Sequence, residues 1–416
     1  MESLTAQATR FGSSILDRAD TLAAISERPA MLARSYLTAQ HRQAGERVLA
    51  WMREAGMRAD FDPMGNVIGR YEGANAGAPA IVSGSHLDTV IDAGKYDGIF
   101  GILAPIACVA ELHRGGSRLA FPVEVIAFGD EEGTRFGASM LGSKALAGAF
   151  HEELLDRRDA EGVSLREALG RFGGDAAAIA RLRRDPASIR VFIETHIEQG
   201  PVLLEAGLPV GVVTTIAGAS RVHVKVEGEE GHAGTVPMAL RRDALAAACE
   251  MVLAVERRCR ATDGRIVGTV GKISVREGGA INVIPARVEF TLDVRSGDDV
   301  ERRRAVKDIE SEFLDRAAAR GVHLEWTLLE EVAATPCDAI EQERLGEVIR
   351  AMGMPVRRLP SGAGHDAMQL ARVSPIAMLF VRCGNGGVSH SPRETLSAED
   401  AGIASVVLLR YLQSVT

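Results

Sequence analysis

Apolar residues recur at helical spacing over positions 4–28 and 39–55, then gather into short unbroken runs. Such runs predict buried strands at 80–83, 123–128, 191–195 and 210–215. Between the first two lies a stretch at 99–112 that is apolar on nearly every side, which predicts a buried crossover helix. Strand, helix and strand in that order predict parallel pairing with right-handed crossovers. The tail resumes the pattern, with helices at 340–352 and 366–371, a strand at 376–381 and a last helix at 398–412.

From about 218 to 331 the pattern changes. SRVHVKVEGEE alternates strictly, placing Val222, Val224 and Val226 on one face. A helix is predicted over 240–257, strands over 268–275 and 286–295, and a second helix over 300–319, before HLEWTLLEE alternates again. This β-α-β-β-α-β order is the split βαβ pattern with half-solvated antiparallel strands. The chain therefore reads as an α/β protein with a mostly parallel sheet, residues 1–217 plus 332–416, interrupted by an α+β insertion, residues 218–331. Segments rich in small residues, GVVTTIAGAS and EEVAATPCD, form the joints.

The strand-like runs share a second feature: each ends in side chains that bind metals. AIVSGSHLD carries His86 and Asp88, VEVIAFGDEEG carries Glu131 and Glu132, VFIETHIEQGP carries His196, and AMLFVRCGNGGVSH carries His390. KYDG adds Asp97 soon after the first. Carboxyl ends of parallel strands open onto one crevice, so these residues would meet there. Three imidazoles, an aspartate and a Glu-Glu pair suit two metal ions sharing a carboxylate. Asp88, two residues after His86, is placed to accept the other imidazole N–H. Adjacent Glu131 and Glu132 point different ways on an extended chain, so one can bind metal while the other stays beside it as a base. Mixed His and carboxylate donors suit zinc, manganese or cobalt over calcium or magnesium.

Other polar residues keep two readings. His232, in the glycine-flanked turn EGEEGHAGTVP, is either a hairpin residue or a donor to substrate. Arg295 shares the polar parity of its strand with Glu289 and Asp293, as a surface ion pair or as a grip on a substrate carboxylate. Asn282 sits in a rigid turn in GGAINVIPAR. His41, His113 and His151 fall in charged helical stretches and are expected on the surface, with His223 and His323 on polar strand faces.

Composition narrows the partners. A formal charge of -8 over 416 residues, with no Lys/Arg block, argues against nucleic acid or an anionic membrane. Five scattered cysteines with no CxxC pair predict buried thiols in a reducing compartment. The mixed-charge start MESLTAQATRFGSSILDRAD shows no secretory pattern, and no apolar run is long enough to span a bilayer. A soluble cytoplasmic protein is expected.

Together GSHLDTV, KYDGIFG, GDEEGTRFG, ETHIEQGP, GHAGTVP, NVIPARVEFTLDVRS, SGAGHDA and GGVSHSP resemble the hydantoinase/carbamoylase branch of the M20 metallopeptidase-like amidohydrolases. That branch includes N-carbamoyl-L-amino-acid hydrolases, β-ureidopropionases and allantoate amidohydrolases. The resemblance runs over nearly the whole chain, and His196 stands where true peptidases usually carry an acidic ligand. It implies two divalent ions per subunit, zinc first, with manganese or cobalt as alternatives. One would sit among His86, Asp97 and His196, the other among Asp97, Glu132 and His390. It further implies Glu131 as general base, His232 as oxyanion donor from the partner of a homodimer joined through the inserted domain, and Asn282 and Arg295 on the substrate carboxylate. Gln199 and the loop around Gly364 would line the pocket. The implied substrate is a small ureido or carbamoyl compound bearing a carboxylate: an N-carbamoyl-L-amino acid, or allantoate as the alternative. A peptide substrate stands third, disfavoured by His196.

Overall fold

The apolar runs of the outer segments lie side by side. In the computed structural model, which describes residues 4–276 and 280–415, a central sheet runs Arg58–Phe61, Val67–Tyr71, Val123–Phe128, Ala80–His86, Ile189–Ile197, Ile376–Val381, Val210–Ile216. The four middle strands from Val123–Phe128 to Ile376–Val381 pair parallel, so the mostly parallel sheet expected from the sequence is borne out. Its flanks are antiparallel: Val67–Tyr71 against Val123–Phe128, and Val210–Ile216 against Ile376–Val381. The strands at Arg58–Phe61 and Val67–Tyr71 escape the periodicity reading because they are short and half-polar.

Every residue of Ala80–His86, Val123–Phe128 and Ile376–Val381 is buried, as strands covered on both faces must be. On one face Ile81, Val125, Ile193 and Leu379 pack with Ile15, Val48, Leu103 and Leu408 from the helices Leu4–Ala23, Ala39–Glu54, Ile99–Arg114 and Ala398–Ser414. Thr38 caps the second of these, its hydroxyl accepting the His41 N–H. The first helix stops at Ala23, short of position 28.

The contact-dense units of the chain divide a few residues outside the boundaries read from sequence. One unit is Met1–Thr214, Cys337–Leu359 and Ala363–Thr416; the other is Thr215–Pro336 with Pro360–Gly362. The second holds an antiparallel sheet in the order His323–Val332, Gly218–Glu227, Arg287–Ser296, Ile266–Arg276. Strict alternation on Arg287–Ser296 buries Val288, Phe290, Leu292 and Val294 against Met251, Ile309 and Phe313 of the helices Ala244–Arg260 and Asp299–Arg320.

One histidine departs from the sequence reading. His41 is 1% exposed, packed against the rings of Tyr36 and Phe172 at 5.4 Å each. Its Nδ1 accepts the Leu37 N–H at 3.4 Å, and its Nε2 is buried without a partner among the described residues. The charged neighbours on its helix conceal an inward-facing position.

Burial, reinforced by Arg34 and Arg135, lowers the His41 pKa to about 3, against about 6.5 for an unfolded chain. Between those values the unfolded chain binds a proton that the folded one refuses, so stability falls as pH drops from about 6.5 toward 3. Half-buried Asp62, raised to about 6 chiefly by desolvation, tilts the other way between about 4 and 6, so the test is a difference. His41→Phe should gain about 2–3 kcal/mol on wild type between pH 7 and pH 4.5 in urea melts; a pH-independent difference would refute the assignment.

Candidate metal centre

The strand ends place the polar residues. His86 closes the strand Ala80–His86 and His196 lies one residue from the end of Ile189–Ile197. Asp97 sits just before the helix Ile99–Arg114, which starts immediately after Gly98. Gly98 has φ 68°, and a Cβ there would lie 2.4 Å from the His86 carbonyl oxygen. Only glycine lets the helix begin this close to the histidine. Glu131 and Glu132 follow the strand Val123–Phe128 after Asp130, itself at φ 63°, and His390 stands at φ 53° beyond the strand Ile376–Val381.

These residues converge on Asp97. Its Oδ1 lies 3.2 Å from His196 Nε2 and 3.7 Å from His86 Nε2. Its Oδ2 lies 3.0 Å from His390 Nε2, which is also 3.5 Å from Glu132 Oε1. Within each of the sets His86–Asp97–His196 and Asp97–Glu132–His390, donor atoms lie inside 4.8 Å of one another. The first set is buried, whereas His390 is half exposed at the rim.

Two of the imidazoles have defined orientations. His86 Nδ1 is 2.9 Å from the Asp88 carbonyl oxygen, and His196 Nδ1 is 2.9 Å from that of Ile197. A carbonyl only accepts, so Nδ1 carries hydrogen on both rings and Nε2 is the nitrogen turned toward Asp97, where a proton on it is favoured by the carboxylate. With that proton displaced, each ring has the form in which histidine binds a metal. The donor set fits divalent cations.

Charge balance points the same way. Burial opposes a charged Asp97, yet His196, His390 and His86 hold its pKa well below the ordinary carboxylate range. Burial raises Glu132 to about 7, with Asp97 adding to the rise. Burial first, and then the charges of Asp366, Glu132 and Asp88, raises Glu131 well above its usual value, His86 opposing. Acidic groups gathered this tightly need positive charge among them, as protons or as cations.

Asp88 does not do what its spacing suggests. The His86 N–H goes to the main-chain carbonyl of Asp88, and the carboxylate turns away. Its Oδ1 accepts the Glu131 N–H at 3.1 Å and its Oδ2 the Glu132 N–H at 3.2 Å. The extended geometry that would keep residues 86 and 88 on one face ends with the strand at His86. Asp88 thus fixes the main chain of the Glu-Glu pair.

Gln199, at φ 57°, places Nε2 3.1 Å from both Asp97 oxygens and 3.2 Å from Ser389 Oγ, and its Oε1 has no partner among the described residues. A Cβ on Gly364 would lie 3.7 Å from Glu131 Oε1, so this loop runs beside the glutamate. His232, Asn282 and Arg295 belong to the second unit. The exposed His232 pairs with Val283 across a two-residue ladder, and Ala233 N–H donates to the Asn282 carbonyl at 2.9 Å. Arg295 is held by Asp293, through Nε at 2.9 Å and Nη2 at 3.0 Å, while Nη1 donates to the Gly362 carbonyl at 2.8 Å. The ion-pair reading of Arg295 thus describes its present contacts.

Sequence reasoning passed over His365 and Glu194. His365 is buried with its ring 4.6 Å from that of His196, and burial, then His196, lowers its pKa well below the imidazole norm. Glu194 is buried two residues before His196, accepting the Ser85 hydroxyl at 2.7 Å and the Ala367 N–H at 2.9 Å. A glutamate inside the apolar run VFIETHI was the available signal.

The sequence model of Peptidase family M20/M25/M40 matches residues 82–414. The chain belongs to this family. An N-carbamoyl-L-amino acid amidohydrolase of Geobacillus stearothermophilus is 44% identical, the match covering 89% of this chain and 90% of that protein. A probable allantoate deiminase of Oryza sativa subsp. japonica is 41% identical, over 95% and 87%. Among solved structures, an amidase of the hydantoinase/carbamoylase family from Burkholderia multivorans superposes with a TM-score of 0.91 at 33% identity, covering 97% of each chain. The resemblance to the hydantoinase/carbamoylase branch of M20 hydrolases, drawn from the motifs, is borne out.

Within this family framework the Asp88 geometry has a measurable consequence. Asp88→Asn leaves one acceptor for two main-chain N–H groups and turns an amide NH2 toward one of them. Turnover should fall by about 10- to 100-fold with bound metal unchanged; wild-type kcat would show that the Glu131 main chain needs no such anchor.

Proposed function

We propose that this chain is a metal-dependent amidohydrolase that cleaves the carbamoyl C–N linkage of N-carbamoyl-L-amino acids. One water is consumed, and amino acid, ammonia and carbon dioxide are released. The observation that carries the reading is the division of Asp97, whose two oxygens face separate donor sets while Glu131 stands beside them. His86, Asp97 and His196 would hold one divalent ion and Asp97, Glu132 and His390 a second, zinc in the first instance and manganese or cobalt otherwise. When bound, the ions polarise the ureido carbonyl and acidify water.

The chain's own groups do the rest. Glu131 accepts a proton from water and delivers it to the departing nitrogen. His232 would donate to the developing oxyanion. Asn282 and Arg295 would hold the substrate carboxylate, Arg295 through Nη hydrogens that Asp293 and Gly362 leave open. Gln199 and Gly364 would line the pocket. We further propose a homodimer joined through the second unit, and a cytoplasmic location, supported by five free cysteines. No helix among the described residues is long and apolar enough to cross a membrane.

The similarity to allantoate deiminases supports a second substrate, allantoate, on the same residues. Ammonia release by zinc- or manganese-loaded protein, compared across N-carbamoyl-L-amino acids and allantoate, separates the two. A higher kcat/KM for a carbamoyl amino acid is the expected result, and preference for allantoate would overturn it. Glu131→Gln should keep both ions and lose about 10²- to 10⁴-fold in kcat; near-normal turnover would remove Glu131 as the base. Arg295→Ala should raise KM by roughly tenfold or more, the loss of a charged hydrogen bond, with kcat less affected. Unchanged KM would take Arg295 out of the site.

A further inference from the structure

Glu394 lies beyond His390 in a segment to which the sequence reading gives no role. Its side chain is 3% exposed and makes three hydrogen bonds. Oε1 accepts the main-chain N–H groups of Tyr96 at 2.8 Å and Asp97 at 3.2 Å, and Oε2 is 2.7 Å from the Ser389 hydroxyl. One carboxylate thereby ties the main chain of Asp97 to the residue beside His390. Ser389 Oγ is also 3.4 Å from Asp97 Oδ2 and accepts from Gln199 Nε2 at 3.2 Å.

Local geometry is arranged around this contact. A Cβ on Gly94 would lie 2.2 Å from the Glu394 carboxyl carbon, so any other residue there would push the carboxylate away. The turn that presents His390 is closed by Glu394 N–H to the Ser391 carbonyl at 3.0 Å and by Asn385 Nδ2 to the Arg393 carbonyl at 2.7 Å. The need for a brace follows from the sheet. The strand Ala80–His86, from which the Asp97 loop departs, and the strand Ile376–Val381, which leads to His390, are not neighbours; Ile189–Ile197 lies between them. No strand pairing sets the distance between the two loops. A neutral amide could not replace the carboxylate in full, since its NH2 end cannot accept the Ser389 O–H.

We infer that Glu394 is a positioning residue that sets the spacing of Asp97 and His390, and through it the affinity for the ion held by Asp97, Glu132 and His390. The inference rests on the two-ion reading above. It is tested by titrating Mn2+ into the full-length chain and following free Mn2+ by electron paramagnetic resonance, for wild type, Glu394→Ala, Glu394→Gln and Ser389→Ala. Thermal melts of the metal-free proteins run alongside. Glu394→Ala should weaken one of two Mn2+ sites by about 10- to 100-fold, with Glu394→Gln and Ser389→Ala losing less. Wild-type Mn2+ affinity in folded Glu394→Ala, with only its metal-free melting temperature lowered, would show a structural brace alone and overturn the inference. Should Glu394→Ala fail to fold, unchanged affinity in both Glu394→Gln and Ser389→Ala overturns it equally. A wild-type chain that binds fewer than two Mn2+ would instead overturn the two-ion reading, and this inference with it.

Discussion

Asp97 is a buried carboxylate met by three imidazoles, and the arrangement of the first unit follows from what it takes to keep it there. A single buried charge is costly to desolvate, and its cost is offset only by partners in good geometry. His86, His196 and His390 supply those partners from three different strand ends. Their own orientation is set by main-chain carbonyls where Nδ1 is bound. Glu131 and Glu132 add further negative charge at the same point, held by their N–H groups on Asp88.

The backbone around this cluster is unusual in one respect. Asp130, Gln199 and His390 adopt positive φ without being glycine, and each adjoins a residue of the site or is one. Left-handed backbone costs a non-glycine residue free energy that the surrounding contacts must over-determine. Asp88 supplies part of that support for the loop after Asp130. The turn bonds of Asn385 and Glu394 supply it around His390. Gln199 is held through its main-chain N–H on Cys383 Sγ and its side-chain amide on Asp97. Side chains reach the cluster because these turns bend sharply out of otherwise regular strands.

The second unit follows a different logic. Its sheet is buried on the helix-covered face only, and the opposite face carries Arg221, Lys225, Glu289, Asp293 and Arg295. Strict alternation makes that division visible in sequence, since period-two burial has one solution for each strand. Which of the polar residues serve substrate is a separate matter, because parity gives a side chain its face and not its ligand. Arg295 illustrates the point, with two of its nitrogens already on Asp293 two residues away.

The sequence by itself determined the buried central strands and the residues at their ends, though not the half-polar strands Arg58–Phe61 and Val67–Tyr71. A run of apolar residues too short for a helix and bounded by Gly, Asp or Asn has few other ways to be buried. His86, Glu131, Glu132 and His196 were legible because strand ends are simple to locate, and Asp97 and His390 because they stand in glycine-rich turns farther on. Tertiary structure alone decided the contacts made after the strands stop. Asp88 turned from the imidazole to the Glu131 and Glu132 N–H groups once the extended conformation ended. His41 went inward because its helix packs with that side toward Tyr36 and Phe172. The brace from Glu394 to Asp97 joins residues 297 positions apart. No local periodicity encodes such a contact, because it depends on which strands lie between the two loops.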